Sequence, residues 1–298
     1  MRYCLAFAAL FMPVTALANT LDPEPRLAVM SAFAPEWLTL QEGLEEAEAH
    51  VVNGNRFITG TLEGQPVVLF LSGISMVNAA MTTQLALDRF EIEGIVFSGI
   101  AGGVDPDLNI GDVVVAAQWG QYLDVTLARE TEDGFAIPPW MGSDFPNYNM
   151  MFTRNQTVQS SRSDEPETKF WFEVDADMLA VAEAVAADLT LEDCNEENAC
   201  LSDPPQIVVG GNGVSGAAFV DNADYRSFVF NTFEARVLDM ESAAVAHVAY
   251  ANEVPFIAFR SLSDLAGGGD GENEMGTFMS LAAVNSAEVV KAFLAAWE

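Results

Sequence analysis

Positive charge is scarce in this 298-residue chain, which has 12 Lys and Arg against 44 Asp and Glu. The formal net charge at pH 7 is therefore −32. Phosphate backbones and anionic lipid surfaces attract basic proteins, so this composition argues against nucleic acid and membrane partners. Hydrophobic residues nevertheless make up 50% of the chain, enough to bury a large core. An intrinsically disordered chain is excluded for that reason.

Histidine is nearly absent, and cysteine is rare. The two histidines, His50 and His247, lie far in sequence from the cysteines, so we predict no zinc site and no other metal site. The three cysteines are Cys4, Cys194 and Cys200.

The first 18 residues have the pattern of a secretory signal. Arg2 supplies the positive charge, residues 3–14 are mostly apolar, and Ala16-Leu17-Ala18 forms a cleavage site. The apolar run is shorter than the roughly 20 residues that a membrane span needs. The alternative is a buried N-terminal helix. We expect residues 1–18 to be removed and residues 19–298 to form a secreted or periplasmic protein.

Cleavage after Ala18 would remove Cys4 and leave Cys194 with Cys200. An even pair of cysteines in an oxidising compartment predicts one disulfide, which here would close a short acidic loop. The alternative is two free thiols on that loop.

Strand-like and helix-like segments alternate along the chain. Short apolar runs predict strands at 27–32, 94–98, 112–117, 206–209, 216–220 and 255–260, and a hairpin formed by 56–62 and 66–71. Helical spacing predicts helices at 77–90, 176–189, 239–252 and 275–297. This alternation predicts an α/β layered fold, and the absence of repeats or linkers favours one domain.

One segment, residues 129–172, shows neither the hydrophobic periodicity of a helix nor that of a strand. It is rich in Pro, Asp, Ser and aromatic residues, among them Trp140 and Tyr148. A loop of this length inside a domain is usually functional or disordered, so we interpret the segment as an insert in the domain.

Acidic residues follow several predicted strands. Glu36 follows the strand at 27–32, Glu241 follows an apolar stretch ending at Asp239, and Asp264 follows the strand at 255–260. In α/β sheets, ligands collect at the carboxyl ends of strands, so these acids could converge in one crevice with Arg260 beside them. The alternative is coincidence, because a chain with 44 acids places some at strand ends by chance.

Four stretches carry a resemblance to a known family. They are residues 28–36; 98–103 with 110–114; 214–220; and 239–244 with 260–264. Together and in this order, they resemble the nucleoside phosphorylase and hydrolase superfamily, and most of all its 5′-methylthioadenosine/S-adenosylhomocysteine nucleosidase branch. The resemblance implies a three-layer single domain with a twisted mixed central sheet flanked by helices. It also implies no cofactor and pairing as a homodimer.

The resemblance also implies catalytic roles. Glu36 would be the general base that activates water, and Asp264 would give a proton to purine N7. Arg260 matches the arginine near the glutamates and the water, although a structural ion pair with Glu241 is the alternative. Glu241 would hold the ribose hydroxyls, and Met240 would pack against the sugar.

Further residues would complete the binding site by the same resemblance. Phe219 would stack on the purine, and the backbone of Val220 would contact its edge. Phe33, Ile74 and Met275 fall where the family lines its 5′-alkylthio pocket, with ordinary core packing as the alternative. The matched motifs add Ile100, Ala101, Gly102 and Ser263.

Two features of the turn at 98–103 bear on the reaction. Ile100 stands where the family usually carries Ser or Thr beside the water, and the turn lacks the arginine and serine with which phosphorylases bind phosphate. Because an anionic nucleophile would also enter a strongly negative protein, we predict hydrolysis of a purine nucleoside to free base and ribose sugar. The alternatives are a phosphorolytic enzyme and a non-catalytic nucleoside-binding or storage protein.

Overall fold

The computed structural model describes residues 20–269 and 271–297. The predicted signal, residues 1–18, lies outside these residues. The described strands are β1 (Asp22–Ser31), β2 (Glu45–Val52), β3 (Asn55–Leu62), β4 (Gln65–Leu71), β5 (Phe90–Gly103), β6 (Val113–Val115), β7 (Gln118–Gln121), β8 (Val125–Leu127), β9 (Arg129–Thr131), β10 (Gly134–Ala136), β11 (Met151–Thr153), β12 (Gln156–Val158), β13 (Glu167–Lys169), β14 (Trp171–Glu173), β15 (Ile207–Val209), β16 (Asn212–Ser215), β17 (Ala235–Asp239) and β18 (Phe256–Asp264). The helices are α1 (Ala34–Glu42), α2 (Met76–Leu87), α3 (Ala176–Ala186), α4 (Ala223–Phe233), α5 (Ser242–Ala251) and α6 (Met275–Ala296).

A mixed sheet of twelve strands forms the middle of the fold. Its main path runs β14-β7-β16-β17-β5-β1-β4-β3-β2, and β18, β6 and β15 branch from β5. Strand β5 is the hub, since it pairs in parallel with β1 and β18 and, near its end, in antiparallel fashion with β17. The parallel strands are continuous apolar runs because helices cover both of their faces.

The helices pack on the sheet in two groups. Helix α6 packs against β5, β18, α1 and α3, whereas α2 and α5 pack against each other and also contact the sheet. The predicted α/β fold, a mixed central sheet flanked by helices, is confirmed. Helix α6 is long and apolar enough to cross a membrane, but 61% of its most apolar window is buried inside the protein, as expected of a core helix.

Several predicted elements differ from the structure in their bounds; the helix predicted at 77–90, for example, is Met76–Leu87, because Phe90 already belongs to β5. Two further errors lie at the ends of strands. Residues 216–220 form no strand; the strand is Asn212–Ser215, and the chain then turns to bring Phe219 and Val220 beside a cavity. The helix predicted to start at Asp239 starts at Ser242, because Asp239 still belongs to β17. In both places an irregular segment follows the carboxyl end of a strand.

The segment 129–172 is more regular than its sequence suggests. It contains β9 to β13 and the first residues of β14, all strands of three residues, which are too short to show a period of two. Its aromatic residues pack onto α4, where Tyr148 contacts Tyr225 and Phe145 contacts Phe233. Strand β2 was not predicted at all, because its sequence EEAEAHVV is exposed and carries no apolar run.

The predicted disulfide between Cys194 and Cys200 is present. Within the loop that it closes, the Asn195 side chain donates a hydrogen bond to the carbonyl of Thr277 at 2.9 Å. The loop therefore rests on the first turn of α6.

Candidate active site

The carboxyl ends of five strands surround one cavity of about 260 Å³. Strands β1, β5, β16, β17 and β18 end there, at Ser31, Gly103, Ser215, Asp239 and Asp264 respectively. Parallel strands bring segments that are distant in sequence to the same edge of a sheet. The parallel pairing of β5 with β1 and β18 brings the segments of Glu36 and Asp264 together, and β17, which runs antiparallel to β5, brings the segment of Glu241 to the same place.

Glu36 enters the cavity because of the way α1 begins. It is the third residue of that helix, and its carboxylate turns back to accept hydrogen bonds from the backbone N–H groups of Ala32 at 2.7 Å and Phe33 at 3.3 Å. The other oxygen, Oε1, accepts from the N–H of Ile100 at 2.9 Å. Burial raises the pKa of Glu36 above its ordinary value, although Arg260 and these three bonds act in the opposite direction. The side chain is thus a fixed, desolvated carboxyl.

Gly99 allows Glu36 and Arg260 to approach each other. A β-carbon at this position would collide with the guanidinium of Arg260 and would lie 2.9 Å from Oε1 of Glu36. Only glycine leaves this space open between the two charged groups. The glycine in the turn therefore has a direct role in the site.

Arg260 is fully buried behind the cavity. Its Nε lies 2.8 Å from Oδ2 of Asp239 and donates to Oγ of Ser242 at 2.9 Å. The guanidinium lies over the ring of Phe97, with 4.0 Å between the guanidinium carbon and the ring centroid. The contact with Glu241 is longer, 3.7 Å between Nη2 and Oε2, so the tighter ion pair is made with Asp239.

Glu241 lies between β17 and α5, close to the same cation. Its Oε1 accepts a hydrogen bond from the backbone N–H of Ser75 at 2.7 Å. Burial, with a smaller contribution from the nearby carboxylate of Asp239, raises the pKa of Glu241 to about 7, and Arg260 opposes that rise. Near neutral pH this carboxyl therefore changes between its protonated and ionised forms.

Asp264 is the last residue of β18 and is also buried. Oδ1 accepts from the N–H of Ala266 at 2.8 Å, and Oδ2 accepts from the hydroxyl of Ser263 at 3.1 Å. Burial raises the pKa of Asp264 above its ordinary value. A raised pKa suits a carboxyl that has to supply a proton.

Apolar side chains form the rest of the wall. Ile100 packs against Phe33 and Met275 and against Ala282 and Ala283 of α6, whose small side chains leave room for it. Phe219 and Ile74 are 57% and 50% exposed although both line the cavity, so they mark its open mouth.

Every residue predicted to bind substrate lines this cavity. They are Phe33, Ile74, Ile100, Ala101, Gly102, Phe219, Val220, Met240, Glu241, Ser263 and Met275, joined by Glu36 and Asp264. Arg260 lies behind the wall. Among the described lining residues none comes from the insert at 129–172, and the described part of the chain contains no cluster of three His, Cys, Asp or Glu side chains suited to a metal ion.

Sequence reasoning missed Asp239, Leu238, Ala32 and Ala218, which also line the cavity. Asp239 is the most consequential of these. Its Oδ1 accepts from the hydroxyl of Ser215 and from the backbone N–H groups of Glu241 and Ser242, both at 3.2 Å. One feature of the sequence does point to Asp239: it stands at the end of an apolar run, directly before Met240 and Glu241.

Comparison with known proteins gives a consistent result. Residues 26–295 match the model of the phosphorylase superfamily. A 5′-methylthioadenosine/S-adenosylhomocysteine nucleosidase of Bacillus thuringiensis (strain Al Hakam) is 32% identical over 247 residues, which cover 81% of this chain and 87% of that relative.

Two solved structures are similar over nearly the whole described fold. The nucleosidase of the same name from Colwellia psychrerythraea 34H, in complex with adenine, has a TM-score of 0.68 at 27% identity and covers 93% of this chain and 97% of its own. The nucleosidase from S. pneumoniae, solved with a transition-state inhibitor, has a TM-score of 0.68 at 25% identity and covers 92% and 100%.

The titration of Glu241 predicts how the stability of the ligand-free protein depends on pH. When folding raises the pKa of a carboxyl, the folded state loses stability as the pH rises between the two pKa values. For Glu241 these are 4.5 in the unfolded chain and about 7 in the folded protein. We expect Glu241→Gln to remove this loss, which is on the order of 3 kcal/mol. Urea unfolding of both proteins at pH 5 and pH 8, in one ionic strength, measures the difference.

The exposed acid Glu183 supplies the control, since Glu183→Gln removes a charge without removing a buried carboxyl. Wild type and Glu183→Gln should lose stability in parallel between the two pH values, and Glu241→Gln should lose less. Three parallel slopes would contradict the assignment.

Proposed function

The chain belongs to the phosphorylase superfamily, and from this premise we propose that its acid-lined cavity hydrolyses the N-glycosidic bond of an adenine nucleoside such as 5′-methylthioadenosine, S-adenosylhomocysteine or adenosine. The observation that carries the proposal is the meeting of Glu36, Glu241 and Asp264 around one cavity, with Arg260 buried behind them. The products are free adenine and the ribose sugar.

Glu36 would act on the attacking water. Its Oε2 holds two backbone N–H groups and Oε1 holds one, which leaves Oε1 a free lone pair toward the space beside Gly99. Nη1 of Arg260 lies beside the same space, and Nη2, which is buried near Glu241, makes no hydrogen bond with a protein group, so the guanidinium has a free donor for a water molecule. As the oxygen of water bonds to C1′ of the ribose, its proton passes to Glu36.

Asp264 would assist the departing base. The bond between C1′ and N9 breaks with its electron pair moving into the purine, and a proton from Asp264 to N7 neutralises the charge that develops there. Glycosidic cleavage commonly uses two carboxyl groups, because a cationic sugar transition state needs help from both an acid and a base. Each such group contributes about a hundredfold to ten-thousandfold.

The remaining groups would bind the nucleoside. Glu241 would accept hydrogen bonds from the ribose hydroxyls, with Met240 against the sugar. Phe219 would stack on the purine at the mouth, and Phe33, Ile74 and Met275 would surround the 5′ substituent. Their apolar surfaces suit an uncharged group such as methylthio.

Water is favoured over phosphate as the acceptor. No Lys or Arg is among the described lining residues, and Arg260, which lies behind them, is already paired with Asp239 and lies close to Glu241. A phosphate ion would therefore meet an excess of carboxylates without a free arginine to bind it. Turnover should proceed equally well with and without phosphate.

Substitution of Glu36, the proposed general base, tests this mechanism. In Glu36→Gln we expect adenine release from 5′-methylthioadenosine to fall by about a hundredfold or more, because the amide cannot take a proton from water, while the Kd for the nucleoside stays within a few-fold. Glu42→Gln, an exposed acid at the end of the same helix, is the matched control and should keep full activity.

The alternative proteins give different results in the same assay. A wild-type protein that binds the nucleoside but releases no adenine would be a binding or storage protein, and its Ile100 would account for this by replacing the hydroxyl beside the water. Turnover only in the presence of phosphate would identify a phosphorylase.

The protein would also pair with a second copy. Ile74, Val77 and Met81 form an exposed apolar face at the start of α2, and Ile74 lines the cavity mouth, so a partner seated there would complete the 5′ end of the site. We expect sedimentation to give a dimer for the wild type and a monomer for Val77→Glu. Val51→Glu, an equally exposed apolar site on β2, should stay dimeric; a monomeric wild type would contradict the pairing.

Export is the remaining part of the proposal. The signal-like pattern of residues 1–18 supports a secreted or periplasmic protein, and the Cys194–Cys200 disulfide suits an oxidising compartment. Amino-terminal sequencing of the protein recovered from its native cells should begin at Asn19. A mature protein that begins at Met1 would contradict export.

A further inference from the structure

The loop between β18 and α6 carries a side chain, Asn273, that touches the proposed acid. The amide Nδ2 of Asn273 lies 3.5 Å from Oδ1 of Asp264 and 3.1 Å from Oδ1 of Asp221. This residue is half-buried and has no part in the mechanism described so far.

The orientation of the Asn273 amide is fixed from its other end. Its Oδ1 accepts a hydrogen bond from the backbone N–H of Met275 at 3.0 Å, in the first turn of α6. Since that oxygen faces the helix, Nδ2 must face the two carboxylates, and it donates to both. The same amide therefore joins the acid, the segment that follows Val220 and the helix that carries Met275 of the cavity wall.

The two oxygens of Asp264 differ in their partners. Oδ1 accepts two N–H donors, one from Ala266 and one from Asn273. Oδ2 accepts only the hydroxyl of Ser263, which can instead donate to the carbonyl of Ala101 at 3.4 Å. Oδ2 is the oxygen with room for a proton, because an oxygen that already accepts two N–H groups is a poor place for a third hydrogen.

We propose that Asn273 and Asp221 form a positioning pair for Asp264, in which the Asn273 amide occupies Oδ1 and leaves Oδ2 to carry the proton that reaches purine N7. This inference rests on the proposed function. Neither residue contacts the reacting atoms: Asn273 acts through Asp264, and Asp221 acts on Asp264 through its charge and by sharing the amide.

The charged groups around Asp264 give the two residues effects of opposite sign. The nearby carboxylate of Asp221 raises the pKa of Asp264, whereas the hydrogen bond from Asn273 lowers it by stabilising the ionised form. Glu272 and Glu274 flank Asn273 in the loop, and Arg226 of α4 packs against Gly268 of the same loop. The other acids of the cavity wall are Glu36, Asp239 and Glu241.

The test uses two variants of the full-length protein and the pH profile of kcat. In Asn273→Ser the hydroxyl can still accept from the N–H of Met275, so the start of α6 is kept while the bond to Asp264 is lost. We expect kcat for 5′-methylthioadenosine to fall about threefold to tenfold, as for the loss of one hydrogen bond, with a smaller change in KM. The alkaline limb of the profile should move to higher pH.

In Asp221→Asn the alkaline limb should move to lower pH by about 0.2–0.7 unit, the size expected for an exposed charge, and the shift should shrink at high salt. Asp224→Asn removes the same charge three residues further on, in the first turn of α4, and should leave the limb in place. Opposite shifts from two adjacent partners are not expected of residues that only support the fold.

Each outcome decides the matter. Suppose that the wild type is active but the alkaline limb of the kcat profile stays in place in both variants, or moves in the same direction in both. Either result would overturn the positioning pair and leave the proposed function standing. If Asn273→Ser fails to fold, the salt-sensitive shift of Asp221→Asn decides alone. A wild type that releases no adenine would overturn the proposed function, and the positioning pair with it.

Discussion

The structure depends on one buried cation. Arg260 is completely removed from solvent, and such a charge is stable in a protein interior only when carboxylates and hydrogen bonds compensate it. Asp239, Ser242 and the ring of Phe97 provide this compensation on one side, and Glu241 and Glu36 provide it on the cavity side. These acids come from three different segments and would otherwise repel one another. The positive charge of the arginine allows them to lie close together.

The same cation gives the two proposed catalytic carboxyls different environments. Burial raises the pKa of Glu36 as well, but Arg260 and three backbone N–H groups act against that rise and favour the ionised form, which is the form that has to take a proton. Burial raises the pKa of Asp264, and the like charge of Asp221 adds to that rise, which suits the group that has to give a proton. Separation of the environments of two carboxyls is how one fold provides both an acid and a base near neutral pH.

Much of this arrangement could be predicted from the sequence, because the strands that carry it are apolar runs and each ends in a recognisable motif. Asp264 ends such a strand, and Glu241 and Glu36 come two and five residues after the ends of two others. Asp239 was missed although it ends an apolar run, since its role depends on contacts with Ser215 and Arg260, which are 24 residues before it and 21 after it in sequence. The need for glycine at position 99 was equally invisible, since it arises from the close approach of Glu36 and Arg260.

The fold was predictable to a similar degree. Buried parallel strands have a strong signal, whereas β2 is exposed and the strands at 129–172 have three residues each, too few to show a period. The residues of the apolar wall were identified only by resemblance, because Phe33, Ile74 and Met275 are as typical of an ordinary core as of a pocket.

A crystal structure of the protein with methylthio-immucillin-A, the inhibitor in the structure of a nucleosidase from Neisseria meningitidis, tests the central claim most directly. We predict that the inhibitor binds in the cavity and that a ring nitrogen of its base makes a hydrogen bond with Oδ2 of Asp264. We also predict one water molecule bound between Glu36, Arg260 and the sugar. An inhibitor bound elsewhere, or one whose base and sugar contact none of the three acids, would contradict the account.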